Sequence, residues 1–245
     1  MLITSLNNDT VKHLVKLKEK KYRDKLNLFF IEGKDLCDIA YENGLLREIY
    51  LLDGTNNIYD GIPCTYVSID VMEKISDMES ASNCFGVCSK KVEEDIGNKI
   101  IVLDNIQDPG NLGTIIRSAV AFNIDTIVVS NDTVDIYNPK VVRSTKGMLF
   151  NINIIKRDLC KFLSELDNYI VYGTDVNNGI NIKNEDISDK IAIVIGNEGK
   201  GISEEVRAYC NKFIYIEMFN KCESLNASVS ASIIMYEVYN KWNMF

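Results

Sequence analysis

The tightest constraint on this chain is an uninterrupted apolar run, Ile100-Ile101-Val102-Leu103. A strand built this way has no polar face to offer water. It must be covered on both sides, which is the condition of a parallel sheet flanked by helices. The pattern then repeats. Strands are predicted at 126–129, 152–155, 169–172, 191–195 and 213–216. Helices are predicted at 111–122, after Pro139, at 159–166, from Ile202, and over 225–242. Alternating strands and helices predict an α/β domain with a mostly parallel sheet over residues 98–245. Ligands of such sheets sit beyond the carboxyl ends of the strands.

The preceding residues read as a smaller α/β domain over 28–95, with strands at 28–31, 48–52 and 84–88 and helices at 35–43 and 68–76. Polar residues 90–97 read as a linker. Val11, Leu14, Val15 and Leu17 recur at helical spacing with lysines between them, so residues 1–27 read as a basic amphipathic arm. Charge follows the same division: +4 over 1–34, −9 over 35–97 and −3 over 98–245, for a net charge of −8. An acidic total excludes a nonspecific DNA coat protein, which needs a basic surface.

The single His13 lies in a lysine-rich stretch, leaving no imidazole for a Ser-His-Asp triad or a His-rich metal centre, so no metal is expected. Seven cysteines without knuckle spacing fit a reducing cytoplasm. No apolar run approaches the roughly 20 residues that cross a bilayer. The first residues lack the basic and apolar regions of a signal peptide.

Three loops that follow strands carry the chemistry. In Asp104-Asn105-Ile106-Gln107-Asp108-Pro109-Gly110-Asn111, a Pro-Gly turn feeds a helix that Asn111 is placed to cap. That reading leaves Arg117 unexplained. An arginine in a small, apolar helix must reach solvent, a carboxylate or a phosphate. In Gly196-Asn197-Glu198-Gly199-Lys200-Gly201, three glycines let the backbone approach a ligand closely. The spacing fits neither a P-loop nor GxGxxG, and a glycine-rich turn explains it without a ligand. The third, Glu223-Ser224-Leu225-Asn226-Ala227-Ser228, opens a helix whose exposed N–H groups favour an anion. Leu225, Val229, Ile233, Tyr236 and Tyr239 read as that helix's core-facing stripe, its small neighbours permitting close helix packing.

Together, in order and spacing, these loops resemble the three signature motifs of the SpoU-type family of RNA 2′-O-ribose methyltransferases, within the knotted SPOUT class. Phe29-Phe30-Ile31-Glu32-Gly33-Lys34 resembles the start of the family's small substrate-binding domain. The resemblance implies S-adenosylmethionine as methyl donor, RNA as substrate, a homodimer through the C-terminal domain and a deep trefoil knot there. General topology rules alone exclude such a knot. It places the cofactor at Gly196, Ile216 and Leu225, with Thr174, Glu198, Gly201 and Met218 near. Catalytic roles fall on Asn111, Arg117, Glu198, Ser224 and Asn226.

A ribose hydroxyl is a weak nucleophile, so its proton must be accepted and its geometry fixed. The family account makes Arg117 the base. A guanidinium resists deprotonation, so the alternative is a clamp on a nearby phosphate that eases alkoxide formation, with Glu198 holding Arg117 or its loop. Glu217 stands where the family commonly has Pro, Asn123 and Asn220 where Gly is common, and Ala227 where Val is common. The two-domain layout favours 23S-type ribosomal RNA over transfer RNA. A catalytically silent RNA-binding member and a nucleotide-binding switch are the rival readings. Calorimetry on the purified protein separates them from an active enzyme in part: heat is expected with S-adenosylmethionine and none with ATP or GTP.

Overall fold

The computed structural model describes residues 2–176, 178–219 and 221–242. In chain order the elements begin β1 (Leu2–Ile3), α1 (Asp9–Lys16), α2 (Lys20–Leu26), β2 (Leu28–Glu32), α3 (Lys34–Glu42), β3 (Leu46–Leu52), β4 (Cys64–Val67), α4 (Ile69–Ile75) and β5 (Cys84–Ser89). They continue with β6 (Lys99–Leu103), α5 (Pro109–Ala121), β7 (Thr126–Val129), α6 (Pro139–Ser144), β8 (Asn153–Lys156), α7 (Leu159–Ser164) and β9 (Ile170–Thr174). The last are β10 (Ile180–Asn181), β11 (Ile191–Ile195), α8 (Glu204–Arg207), β12 (Lys212–Tyr215) and α9 (Ala227–Trp242). Contacts divide the chain into two compact units: Met1–Val92 with Asp135–Phe150, and Glu93–Val134 with Asn151–Phe245.

The first unit is a five-stranded mixed sheet in the order β1-β4-β3-β5-β2. Strand β4 lies parallel to β1 and β3, whereas β5 runs antiparallel to β2 and β3. Asn8 caps α1 by accepting from the Thr10 amide at 2.8 Å. Val11, Leu14 and Leu17 are buried with Phe30, Val71, Met72 and Phe85, so the helix expected as an arm is part of this core. Strand β4 escapes the sequence reading because only Val67 of its four residues is buried, which leaves no alternation to detect. Helix α2 lies within the helical arm expected over residues 1–27, but as a separate helix. The buried side chain of that helix is a cation, Arg23, 2% exposed.

That arginine explains why residues 135–150 join this unit. Its Nη1 donates to the carbonyls of Leu17 (2.9 Å) and Lys18 (2.5 Å), and its Nη2 donates to Asp135 Oδ2 at 2.5 Å. The rings of Tyr137 and Phe150 lie 4.6 and 6.1 Å from the Phe29 ring, and α6 packs on β2. A segment expected with the C-terminal domain thus completes the N-terminal sheet's apolar and ionic contacts.

The second unit is a seven-stranded sheet in the order β10-β12-β9-β11-β6-β7-β8, with every pairing parallel. All five residues of β11 are buried. Strand β8 begins at Asn153, one residue later than predicted; this buried amide donates to the Glu94 carbonyl at 2.9 Å and accepts from its N–H at 3.1 Å. Helix α9 corrects the stripe reading. Its buried apolar residues are Ala227, Ala231, Ile234, Met235 and Val238, while Val229 and Tyr236 are 45% and 50% exposed. Helix α9 packs on α5, where the Ser118 and Ser232 hydroxyls meet at 2.7 Å and the Phe122 ring at the end of α5 meets Tyr236 and Tyr239. Among the described residues no helix is long and apolar enough to cross a membrane.

Removing one member of a buried ion pair strands the other. Arg23→Ala is expected to cost about 3–5 kcal/mol in chemical denaturation. Arg157→Ala, which breaks the half-exposed pair with Glu93, is expected to cost less than about 1 kcal/mol.

Candidate active site

Parallel strands bring their carboxyl ends to one level, and the loops leaving β9, β11 and β12 enclose a cleft of about 390 Å³ there. Thr174, Gly196, Gly201, Ile216, Met218 and Leu225 all line it, as do Glu198 and Ser224. The floor and back are apolar, from Ile195, Ile216, Leu225 and Ile234. Thr174 turns its Oγ1 away, donating to the Val194 carbonyl at 2.9 Å. Volume and lining fit a cofactor with a flat apolar end and a charged end.

The loop after β11 is shaped by backbone contacts that only glycine permits. A Cβ on Gly196 would lie 2.2 Å from the Gly201 carbonyl carbon and 2.3 Å from the Ile202 nitrogen. Gly201 has φ +69°, and paired 2.9 Å bonds between its N–H and C=O and those of Asn197 close the loop. Within it, Asn197 Oδ1 accepts from the amides of Gly199 and Lys200, and its Nδ2 donates to the Asn105 carbonyl at 2.8 Å. At the exit, the buried Asp104 carboxylate accepts from both the N–H and the hydroxyl of Ser203, at 2.8 and 2.7 Å. Asp104 and Asn197 are positioning groups that the sequence reading did not single out.

Asn111 joins the three loops. It does not cap α5; Asp108 does, its Oδ1 accepting from the Asn111 amide at 2.9 Å. The Asn111 side chain is therefore free to reach across. Its Nδ2 donates to Glu198 Oε1 at 2.8 Å, and its Oδ1 accepts from Asn226 Nδ2 at 3.0 Å. Asn226 also caps α9, its Oδ1 accepting from the Ser228 amide and hydroxyl at 2.9 and 2.7 Å. Of the two roles the sequence offered Glu198, holding Arg117 or holding the loop, its bond to Asn111 fits the second.

Arg117 is exposed on α5, outside the cleft lining, and makes no hydrogen bond or ion pair among the described residues. Ser224 is exposed at the cleft, its hydroxyl uncommitted among the described residues.

One wall of the cleft was not anticipated. Asp175 Oδ2 receives Arg207 Nη2 at 2.6 Å, and the guanidinium lies 4.1 Å over the Phe213 ring. Behind this wall, burial pushes the Cys210 thiol up to about 11, which removes it as a nucleophile at neutral pH. Glu217 faces away from the cleft lining, accepting from Asn181 Nδ2 at 3.1 Å. Asn123 adopts φ 54°, the left-handed conformation that explains an amide in place of glycine. Asn220 lies outside the described residues.

Residues 98–236 match the family model described as the SpoU rRNA Methylase family, and residues 8–86 match that of the MRM3-like substrate binding domain. The chain belongs to the SpoU rRNA methylase family. It is 34% identical over 243 residues to the 23S rRNA (guanosine(2553)-2′-O)-methyltransferase RlmP of Bacillus subtilis, covering 96% of this chain and 98% of that protein. A crystal structure of an RNA 2′-O ribose methyltransferase superposes with TM-score 0.85 at 26% identity, covering 99% of this chain and all of that one. An rRNA methyltransferase from Sinorhizobium meliloti shares the fold at TM-score 0.87 and 24% identity, covering 98% and 97% of the two chains.

Two glycine positions of the loop make opposite predictions. Gly196→Ala is expected to abolish S-adenosylmethionine binding in calorimetry, since its Cβ meets backbone. Gly199→Ala, whose Cβ would meet only Asn197 Oδ1 at 3.7 Å, is expected to bind as the wild type does.

Proposed function

We propose that this protein transfers a methyl group from S-adenosylmethionine to a ribose 2′-hydroxyl in structured RNA, with 23S-type ribosomal RNA as substrate. The observation that carries this is the Asn226–Asn111–Glu198 chain of hydrogen bonds, which fixes all three loops at the mouth of a cofactor-sized cleft. S-adenosylmethionine supplies an electrophilic methyl group. Gly196, Gly201, Ile216 and Leu225 supply the close backbone and apolar surface that hold it, with Thr174 and Met218 on the rim.

Asn111 presents a rigid amide beside the cleft because both of its polar atoms are engaged. Ser224 offers a hydroxyl to orient the ribose. Arg117, exposed and unpaired among the described residues, binds the phosphate next to the target ribose and eases loss of the hydroxyl proton. Glu198 acts through Asn111, as a positioning residue.

The assembly is a homodimer through the C-terminal unit. Val229 and Tyr236 support this, half exposed on α9 beside Phe122, whose ring sits edge-on to Tyr236 at 5.6 Å. The C-terminal segment forms the family's trefoil knot, the substrate-binding part is the first unit, and the enzyme works in the cytoplasm.

Mass-spectrometric mapping of 2′-O-methyl riboses in cells with and without the gene is expected to lose one site in large-subunit ribosomal RNA. Loss of a transfer-RNA site would move the substrate assignment, and persistence of every site would leave a silent RNA-binding member. Arg117→Lys keeps the charge but loses the planar fork. It is expected to lower kcat roughly 10²-fold while S-adenosylmethionine affinity stays unchanged.

A further inference from the structure

We infer that the first unit meets RNA through exposed lysines on α1, α2, α6 and the turn after α6, and not through the acidic stretch 35–97 that makes up most of its sheet. The inference rests on the RNA-methyltransferase reading and assigns the surface that reading leaves open.

The segment 135–150 carries Lys140, Arg143 and Lys146 against one acid, Asp135, whose carboxylate is taken up by the buried Arg23. Its basic groups therefore add net positive charge to a unit that is otherwise acidic. Lys140 and Lys146 are exposed. The same unit holds exposed Lys12, Lys16, Lys20, Lys21 and Lys25 on α1 and α2.

These two basic segments meet at Asp77. Lys18 Nζ lies 2.7 Å from its Oδ1, and Arg143 Nη1 lies 4.0 Å from its Oδ2. Lys16 and Lys21 stand 5.5 and 4.8 Å from the centroid of the half-buried Tyr22 ring, which sets an aromatic face among cations. Lys16 and Lys25 have no acid in ion-pair reach among the described residues. The pairs Lys12–Asp9 and Lys20–Asp24 are exposed, and a phosphate can displace them.

Backbone geometry adds an independent observation. Lys146 holds φ 51°, a left-handed conformation that disfavours a long side chain. Gly147 follows at φ +86°, pressed against α3 so closely that a Cβ would lie 2.4 Å from Ile39 Cδ1. A rigid turn thus holds an exposed lysine where glycine or asparagine would sit with less strain, and such outliers point to function. Lysines spread over three helices and a turn suit phosphates of a folded RNA, recognised by shape and backbone.

The test uses the full chain and, as probe, deproteinised bacterial large-subunit ribosomal RNA over a series of salt concentrations. The variants are Lys16→Glu with Lys21→Glu, Lys140→Glu with Lys146→Glu, and, within the acidic stretch, Arg47→Glu with Lys74→Glu. Each of the first two pairs is expected to weaken RNA binding at least tenfold and to flatten the salt dependence by roughly 1.4–1.8 in log–log slope. S-adenosylmethionine affinity and melting temperature are expected to be unchanged, and the Lys→Gln versions to weaken binding in the same direction but less. The Arg47/Lys74 pair is expected to bind as the wild type does. Weakening confined to the Arg47/Lys74 pair would overturn the inference. So would a wild-type protein that methylates RNA while every variant binds it equally well; that outcome leaves the methyltransferase reading intact. A wild-type protein that neither binds nor methylates the RNA would overturn both.

Discussion

The pairing of β6 with β11 sets the level at which everything chemical happens. Five backbone pairs, from Lys99 with Ile191 to Leu103 with Ile195, bring both strands to an end together. The ladder runs one step further, the Asp104 N–H donating to the Ile195 carbonyl at 2.9 Å. That step places a buried carboxylate where it receives Ser203, and it brings Asn105 under Asn197. A slip of one residue would turn each of these side chains to the other face of the sheet. The side-chain ties between the loops are therefore consequences of a backbone register, and that register is secured by burial of both strands.

Much of this was legible in the chain because a strand covered on both faces has no alternative composition. Residues 100–103 and 191–195 are short apolar runs rich in β-branched residues, bounded by polar and glycine residues, and both are buried strands. Part of what failed did so where a side chain's partners lie far away in sequence. Asn111 looks like a cap when the turn is read locally, but Asp108 stands three residues earlier and takes the amide. Only the arrival of Glu198 and Asn226 shows what the Asn111 side chain is for. Asp175 and Arg207 form a wall of the cleft without any local pattern to announce them.

Helix α9 failed for a different reason. It is apolar on more than one side, with Val229, Tyr236 and Tyr239 on one and Ala231, Ile234 and Val238 on another. Periodicity alone then has two answers. The packing buries the second set, while the Ser118 and Ser232 hydroxyls and the Phe122 ring tie α5 to α9 beside it. The six residues that the family resemblance assigned to the cofactor all line the cleft. Charge was legible as an amount but not as a pattern, because folding moves one arginine of the basic region into the interior and recruits residues 135–150 beside the rest.

That recruitment bears on how the protein is made. The backbone passes between the two units at 92–93, again at 134–135 and again at 150–151. During synthesis, the first 92 residues leave the ribosome long before Asp135, so the pocket for Arg23 exists without its counter-ion and Phe29 without its aromatic neighbours. The N-terminal unit therefore cannot reach its final packing as it emerges. Its completion waits until residues 135–150 have been translated, and by then β6 and β7 of the other sheet are present as well. The two units are separate in their contacts but tied together in time.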